Sequence, residues 1–405
     1  GGRLGGRGVF IRRLVLRDFR SYHHAELDLD PGLITLVGPN AVGKTNLLEA
    51  VHFAATGSSP RTARDTDLIR FGADACYVRL EWDDPTYGNR TIEIACHRQL
   101  GKALRIDGRK RQRLAELHGL LPVVYFAPDA LALIKHGPAA RRAFLDRLLV
   151  QLSPRYAVQL QEYQRVLLQR NELLREIRAG RAAPALLEAW DEPLVARGLE
   201  IRRQRQRILE RLAPLVDRAA RELGGGDDPV QLVYRPGVGE EGNEAAGAAA
   251  DATRVPALDR LRAQEIARGV TLWGPQRDEF QILLGGRDAR VYASQGQQRT
   301  LVLALKLAEV AVIREITGRT PVLLLDDVLS ELDRRRRERL LAAVAACEQV
   351  FLTATDPPEV AARVIRLPLP AAGGGEAPRT GGTGSGDVTP AATQPAGRRT
   401  EGGTQ

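Results

Sequence analysis

Apolar and basic positions alternate over residues 10–16, and alternation returns over residues 25–29. A period of two predicts paired strands. Residues 33–37 are a short apolar run ending in Gly38, the pattern of a buried strand. The period then changes: Leu47, Leu48, Val51, Phe53 and Ala54 take helical spacing over residues 45–55. Residues 77–82, 91–97 and 104–106 predict further strands, and Asp107-Gly108 signals a hairpin turn.

From about Pro128 the texture is different. Residues 138–223 are rich in Leu, Arg, Glu, Ala and Gln at helical spacing, with breaks expected at residues 180–184 and at Pro193. They predict an inserted lobe of two to four helices. Residues 224–228 end it, and the Gly/Glu/Ala stretch 237–251 is expected to be a flexible loop. Strand patterns resume at 230–234 and 280–284. A helix is expected over 297–317, a buried strand over 322–325, a helix over 333–347 and a last strand over 350–353. Beyond Pro370 bulky apolar residues almost vanish, which predicts disorder. No internal repeat is visible.

Composition excludes some classes. No apolar run reaches the ~18 residues of a membrane helix, and the glycine-rich start lacks the apolar core of a signal peptide. Cys76, Cys96 and Cys347 are too widely spaced for a Cys-x-x-Cys site or a disulfide framework, so a cytoplasmic protein is expected. The 405 residues contain no methionine, and the patterned sequence begins at Val9, the expected true start. Net charge is +9, which suits a polyanionic partner. Only five lysines contribute, however, so arginine-rich coding bias explains the charge equally well.

Two motifs carry chemistry. Gly38-Pro39-Asn40-Ala41-Val42-Gly43-Lys44-Thr45 matches G-x-x-x-x-G-K-[ST] between a strand and a helix, the context that a phosphate-binding loop requires. Backbone N–H groups and the helix N-terminus would face ATP phosphates. Lys44 would reach the β- and γ-phosphates, and the Thr45 hydroxyl would coordinate Mg²⁺. Residues 321–327, Pro-Val-Leu-Leu-Leu-Asp-Asp, form an apolar strand ending in two carboxylates. Asp326 would hold Mg²⁺ directly or through water, and Asp327 would orient or deprotonate the attacking water. About 280 residues separate the two motifs, so a whole lobe is inserted within one ATPase lobe. Ser294-Gln295-Gly296-Gln297 opens the 297–317 helix, either as an ordinary cap or as an anion-facing turn. Its position about 30 residues before the acidic strand favours the second.

Together with Ser330-Glu331-Leu332-Asp333, these motifs resemble the ABC-type ATPase heads of the SMC class. Other segments narrow the resemblance to the RecF family of bacterial recombination mediators. They are residues 10–14 and 19–22, Phe126-Ala127-Pro128-Asp129, residues 141–146 and Gly274-Pro275-Gln276-Arg277-Asp278-Glu279-Phe280. The resemblance spans about Val9 to Pro370. It implies an α/β fold, an ABC-type head whose P-loop lobe has a mixed sheet, with an inserted α-helical lobe. The expected division is an N-terminal extension (1–8), a first ATPase half (9–127), a helical insertion (128–228), a second ATPase half (229–370) and a tail (371–405). The resemblance also implies that Ser294, Gly296 and Gln297 complete the ATP site of a second subunit, and that residues 330–333 lie at that interface. It implies an ATP-dependent homodimer on DNA near single-strand/double-strand junctions, working with RecO and RecR to load RecA in gap repair and replication.

Four positions depart from the pattern. Ala41 and His136 stand where glycine is usual, Asp327 replaces a glutamate, and Ala354-Thr355 replaces a switch histidine. The shorter carboxylate and missing imidazole imply weak hydrolysis, with ATP acting as a dimerisation switch. For DNA, residues 98–113 carry Arg98, Lys102, Arg105, Arg109, Lys110, Arg111 and Arg113 against one aspartate. A basic hairpin can follow a phosphate backbone, although a solvated charged hairpin has the same composition. No aromatic residue falls within it, which disfavours base stacking there. An ABC transporter subunit or an SMC-like DNA tether are the alternatives. The first is opposed by the long insertion and missing histidine, the second by the lack of long heptad runs.

Overall fold

The computed structural model describes residues 8–224, 226–237, 256–357 and 362–369. The expectations of a flexible start, a loop from 238 onward and a disordered tail fall outside these residues, Gly8 and Gly237 apart. The strands of the first half are β1 (Phe10–Phe19), β2 (Tyr22–Asp28), β3 (Gly32–Val37), β4 (Ala75–Asp84), β5 (Gly88–His97), β6 (Gly101–Ile106), β7 (Arg109–Arg111) and β8 (Val123–Phe126), with α1 (Lys44–Thr56) after β3. The helices α2 (Ala132–Lys135), α3 (Pro138–Leu152), α4 (Pro154–Arg178) and α5 (Glu188–Glu222) follow. The chain continues with β9 (Val230–Arg235), α6 (Pro256–Arg268), β10 (Glu279–Leu284), β11 (Arg287–Asp288), α7 (Ala289–Tyr292) and α8 (Gln295–Thr317). It ends with β12 (Val322–Leu325), α9 (Arg334–Val344), β13 (Gln349–Ala354) and β14 (Arg363–Arg366).

Parallel and antiparallel strands form separate sheets. The five-stranded sheet, in the order β14-β3-β13-β12-β8, is parallel throughout. A parallel sheet is covered on both faces, which is why β12 and β8 read as continuous apolar runs, whereas the edge strand β14 is largely exposed. Ile34, Leu36, Val322 and Leu324 face α1, and Leu323, Leu325, Val350 and Leu352 face the core shared with α8. The six-stranded antiparallel sheet, in the order β2-β1-β4-β5-β6-β7, covers the other side of α1. Its strands alternate: Val78, Leu80, Ile92, Ile94 and Leu104 are buried and their neighbours half-buried. With apolar surface on both sides, α1 buries nine consecutive residues from Leu47 to Ala55.

The helical insertion holds three long helices. Pro193 does not break it: α5 runs through both Pro193 and Pro214. Each proline removes one helical hydrogen bond, but Leu194, Val195, Leu212 and Val216 beside them are buried in the core, and packing outweighs propensity. The helix expected from residue 297 begins at Gln295, and the one expected over 333–347 spans Arg334–Val344. The three-stranded sheet β11-β10-β9 packs into the core of α3 and α5.

Buried ion pairs knit this second core. Asp278 accepts two hydrogen bonds from Arg202 at 2.8 Å, one from the Tyr234 hydroxyl at 2.6 Å and one from the Gly237 N–H at 2.8 Å. Asp146 accepts from Arg205 at 2.9 and 2.8 Å and from Tyr156 at 2.5 Å. Arg141 pairs with Glu279 and donates to the carbonyls of Leu133 and His136. The segments 141–146 and 274–280 thus hold the second lobe together. Deleting one member of such a pair leaves a buried charge and typically costs about 3–5 kcal/mol.

Candidate ATP site

The phosphate loop joins β3 to α1. Gly43 caps the helix with φ +107° and offers no side-chain acceptor, so the first-turn N–H groups stay available to a ligand. Only glycine fits there: a Cβ would lie 2.8 Å from the Tyr22 hydroxyl and 2.9 Å from Ser21 Oγ. Tyr22 also donates to Gly43 O at 3.1 Å, and burial pushes its phenol pKa up. Ala41 takes φ +64°, so the alanine at a glycine position carries the left-handed strain expected of it. Lys44 Nζ donates to Gly38 O and, at 3.0 Å, to Pro39 O, so it spans the loop. Pro39 and Asn40 are exposed, and Val42 packs against the first core.

The acidic strand meets this loop. Asp326 is buried, and its Oδ1 accepts from Thr45 Oγ1 at 2.9 Å and from Thr353 Oγ1 at 3.0 Å. Its Oδ2 accepts from the Tyr125 hydroxyl at 2.7 Å. Asp327 differs in every respect. It is exposed, its φ is +51°, and its N–H donates to Thr353 Oγ1 at 2.8 Å. Two adjacent carboxylates therefore have different environments: one is fixed by three hydroxyls, the other open to solvent. Thr353 and Tyr125 are the residues that sequence reasoning missed. A threonine near the end of an otherwise apolar strand (Val350-Phe351-Leu352-Thr353) was the available signal.

Ser294, Gly296 and Gln297 stand at the start of α8. Ser294 Oγ accepts from Gln297 N at 3.2 Å while Gln297 Oε1 accepts from Ser294 N at 2.8 Å, a complete capping box. Ser294 is exposed. The Arg336 guanidinium lies over Gly296, 3.4 Å from where a Cβ would stand. Asp333 caps α9 through Arg336 N at 2.9 Å, and Ser330 Oγ donates to Asp327 O at 2.8 Å.

The basic hairpin is divided by strand alternation. Arg105 pairs with Lys110 across β6–β7, on the face opposite Leu104. Lys102 lies opposite buried Cys96, and Arg111 opposite buried Leu104. Lys102 Nζ donates to Gly57 O at 2.6 Å, pairs with Asp65 at 2.8 Å and sits 5.3 Å from the Phe53 ring centroid. Arg111 pairs with Glu116 at 3.3 Å, and Arg98 Nε donates to Ala73 O at 2.9 Å. Arg109, Lys110 and Arg113 are exposed.

Residues 10–364 match the model of the RecF/RecN/SMC N-terminal domain family. Two relatives, each called DNA replication and repair protein RecF, come from Moorella thermoacetica and Symbiobacterium thermophilum. Each is 44% identical to this chain. The first alignment covers 88% of this chain and 92% of the relative, the second 86% and 92%. The chain belongs to the RecF family. A solved structure of the recombination mediator protein RecF-ATPrS in the RecFOR pathway superposes with a TM-score of 0.82 at 30% identity, covering 89% of this chain and 96% of that one. A second, of RecF-ATP in the same pathway, gives a TM-score of 0.81 at 30% identity and the same coverage. An SMC head bound to the C-winged helix domain of ScpA shares the fold, with a TM-score of 0.50 and 16% identity over 86% of this chain and 90% of that one. The RecF-family chain thus has the ABC-type head fold that its motifs imply.

Proposed function

We propose that the chain is an ATP-dependent DNA-binding protein of replication and recombinational gap repair. It dimerises on DNA with ATP and helps RecO and RecR to load the RecA recombinase. The observation that carries this reading is the contact between Thr45 and Asp326, which joins phosphate loop to acidic strand in a chain whose RecF relatives are replication and repair proteins. The ATP-bound RecF structure supports the nucleotide. The setting is the cytoplasm, and no helix among the described residues is long and apolar enough to cross a membrane. Residues 9–127 and 229–370 would form the ATPase lobe and 128–228 the helical lobe, with β9–β11 packed on the latter.

The donor set fits Mg²⁺. Mg²⁺ takes oxygen donors, one or two of them carboxylates, and the Thr45 hydroxyl and the Asp326 carboxylate stand side by side beneath the loop. Thr45 and Asp326 would hold the ion, which would supply charge neutralisation for phosphoryl transfer. Lys44 exchanges the loop carbonyls for the β- and γ-phosphates, and free N–H groups of α1 bind the phosphate oxygens. Asp327, open to solvent, orients or deprotonates water. Its short carboxylate makes hydrolysis a slow switch that ends the dimeric state. Ser294, Gly296 and Gln297 recognise the γ-phosphate on a second chain. Binding of gapped, duplex and single-stranded DNA with ATP, ADP and no nucleotide tests the proposal. ATP-enhanced binding to gapped or duplex DNA is expected, and nucleotide-independent binding to all three would overturn it.

A further inference from the structure

Cys76 and Cys96 lie far apart in sequence, yet the antiparallel pairing of β4 with β5 sets them directly opposite one another. Arg98 N donates to Asp74 O at 3.0 Å, which makes these two residues a hydrogen-bonded pair. Pair types alternate along an antiparallel ladder, so Cys76 and Cys96, two residues further in, form another such pair with Cα atoms about 5.5 Å apart. That is a common Cα separation across a disulfide, about 5.5–6 Å. Both side chains join the face of Val78, Leu80, Ile92 and Ile94, and both are buried, at 3% and 2% exposure. The two thiols interact: a hydrogen bond from Cys96 holds the Cys76 pKa below the usual thiol range, and the same bond, with burial, pushes Cys96 up. Cross-strand Cβ atoms stand about 4.5–5.5 Å apart, so they must close by roughly 1 Å to bond.

We propose that Cys76 and Cys96 are a site of reversible oxidation, which closes an intramolecular disulfide in response to hydrogen peroxide. Sequence spacing opposes a disulfide framework, whereas this one pair needs only the hairpin that the fold already makes. Burial selects a small oxidant. The pair stands one step inside the open end of the β4–β5 ladder, where Ala75 opposes His97 and Arg98 is exposed, and ladder ends open at little cost. Cys76, the more acidic thiol, attacks a peroxide oxygen. The O–O bond breaks, and the departing hydroxide takes up the Cys76 proton as water. Cys96 then attacks the sulfur of the Cys76 sulfenic acid. The S–S bond forms, the S–O bond breaks, and water leaves with the Cys96 proton. Two thiols and one peroxide thus give one disulfide and two waters, sulfur being oxidised and peroxide reduced. The neighbouring Cys96 captures the sulfenic acid before further oxidation. Drawing the strands together strains the bond, and a strained disulfide is readily reduced, so thiols reset the site. When closed, it fastens the sheet that covers α1.

Mass spectrometry of the folded full chain tests the site, on a Cys347→Ser background that removes the third cysteine. The protein is treated with hydrogen peroxide, then denatured and alkylated with iodoacetamide. The expected product is lighter than the untreated chain by about 2 Da before alkylation, the two hydrogens lost, and takes up no alkyl group. Trypsin cuts after Arg79 and Arg90, between the two cysteines, so their peptides should travel as one linked species that dithiothreitol separates. Cys96→Ala, which lacks the resolving thiol, should instead gain oxygen at Cys76, about 16 Da per atom. Two alkylated thiols after peroxide treatment of the folded chain, a gain of oxygen in place of the lost hydrogens, or a disulfide that joins two chains would each overturn the inference. So would a bond that dithiothreitol leaves intact in the folded protein.

Discussion

Thr45 Oγ1 donates to Asp326 Oδ1 at 2.9 Å, a contact between residues 281 positions apart. The parallel pairing of β12 with β13, and of β13 with β3, brings them together. Phe351 of β13 pairs with Leu324, and Thr353, two residues further on, reaches both Asp326 and Asp327. The hydroxyls of Thr45 and Thr353 thus join the phosphate loop and both carboxylates in one hydrogen-bonded chain.

The two carboxylates should separate cleanly under mutation. Asp326→Asn removes the charge that three hydroxyls serve, and it should abolish Mg²⁺-dependent ATP binding and cost about 1–3 kcal/mol of stability. Asp327→Asn, in solvent, should leave stability within about 0.5 kcal/mol, bind ATP and accumulate the dimer. Nucleotide binding titrated against Mg²⁺, with thermal melting, measures both. Identical behaviour at every Mg²⁺ concentration would contradict the division of roles.

His52 makes stability pH-dependent. Burial, chiefly, pushes its pKa down to about 4, and its Nδ1 lies 3.1 Å from Ser58 O, an acceptor only, so Nδ1 carries the proton. The ring stands 5.7 Å from that of Tyr125, which holds Asp326. The unfolded chain takes up a proton below about pH 6.5, whereas the folded protein keeps the ring neutral. This stability is therefore complete above pH 6.5 and is lost as pH falls towards 4, by about 3 kcal/mol in all. His52→Gln should flatten the denaturation profile between pH 6.5 and 4. An unchanged slope would assign the effect to another group.

The basic hairpin should give two kinds of mutant. Arg109→Ala/Lys110→Ala removes exposed cations, and each lost phosphate contact should flatten the salt dependence of duplex binding by about 0.9. Lys102→Ala breaks the tie to Gly57 and Asp65, so it should lower stability by about 1–2 kcal/mol and leave the slope unchanged. Equal slopes for all three proteins would return the segment to a solvated hairpin.

What the sequence showed depended on how local the signal was. Strand, loop and helix of the phosphate site lie within residues 32–56, and their order was readable from period and glycine spacing. The hairpin turn at Asp107-Gly108 was equally local, with φ +50° and +74°. The faces of that hairpin were not, because strand register sends Lys102 and Arg105 to opposite sides. Strand β8, four apolar residues, and β7, three cations, are too short for any period. Tyr125 and Thr353 acquire their role only from the sheet order. Pro193 misled because its penalty is local, whereas the packing that overrides it comes from residues far along the chain.

The exposed capping box at Ser294 bears on the dimer. Its hydroxyl is engaged by Gln297 N within its own chain, yet the α8 N-terminus faces outward with the Arg336 guanidinium beside it. Such an end attracts an anion, and a γ-phosphate supplies one that ADP lacks. Dimerisation should then need ATP. The Ser294→Cys/Asn40→Cys variant, on a Cys347→Ser background because Cys347 is the half-buried native thiol, should crosslink between chains with ATP and not with ADP. Removing the cap costs about 1 kcal/mol, which a 23-residue buried helix absorbs. Denaturing electrophoresis reads the outcome as a band of twice the chain mass. A crosslink within one chain, or one formed equally with ADP, would show that Ser294 does not meet the nucleotide of a second subunit.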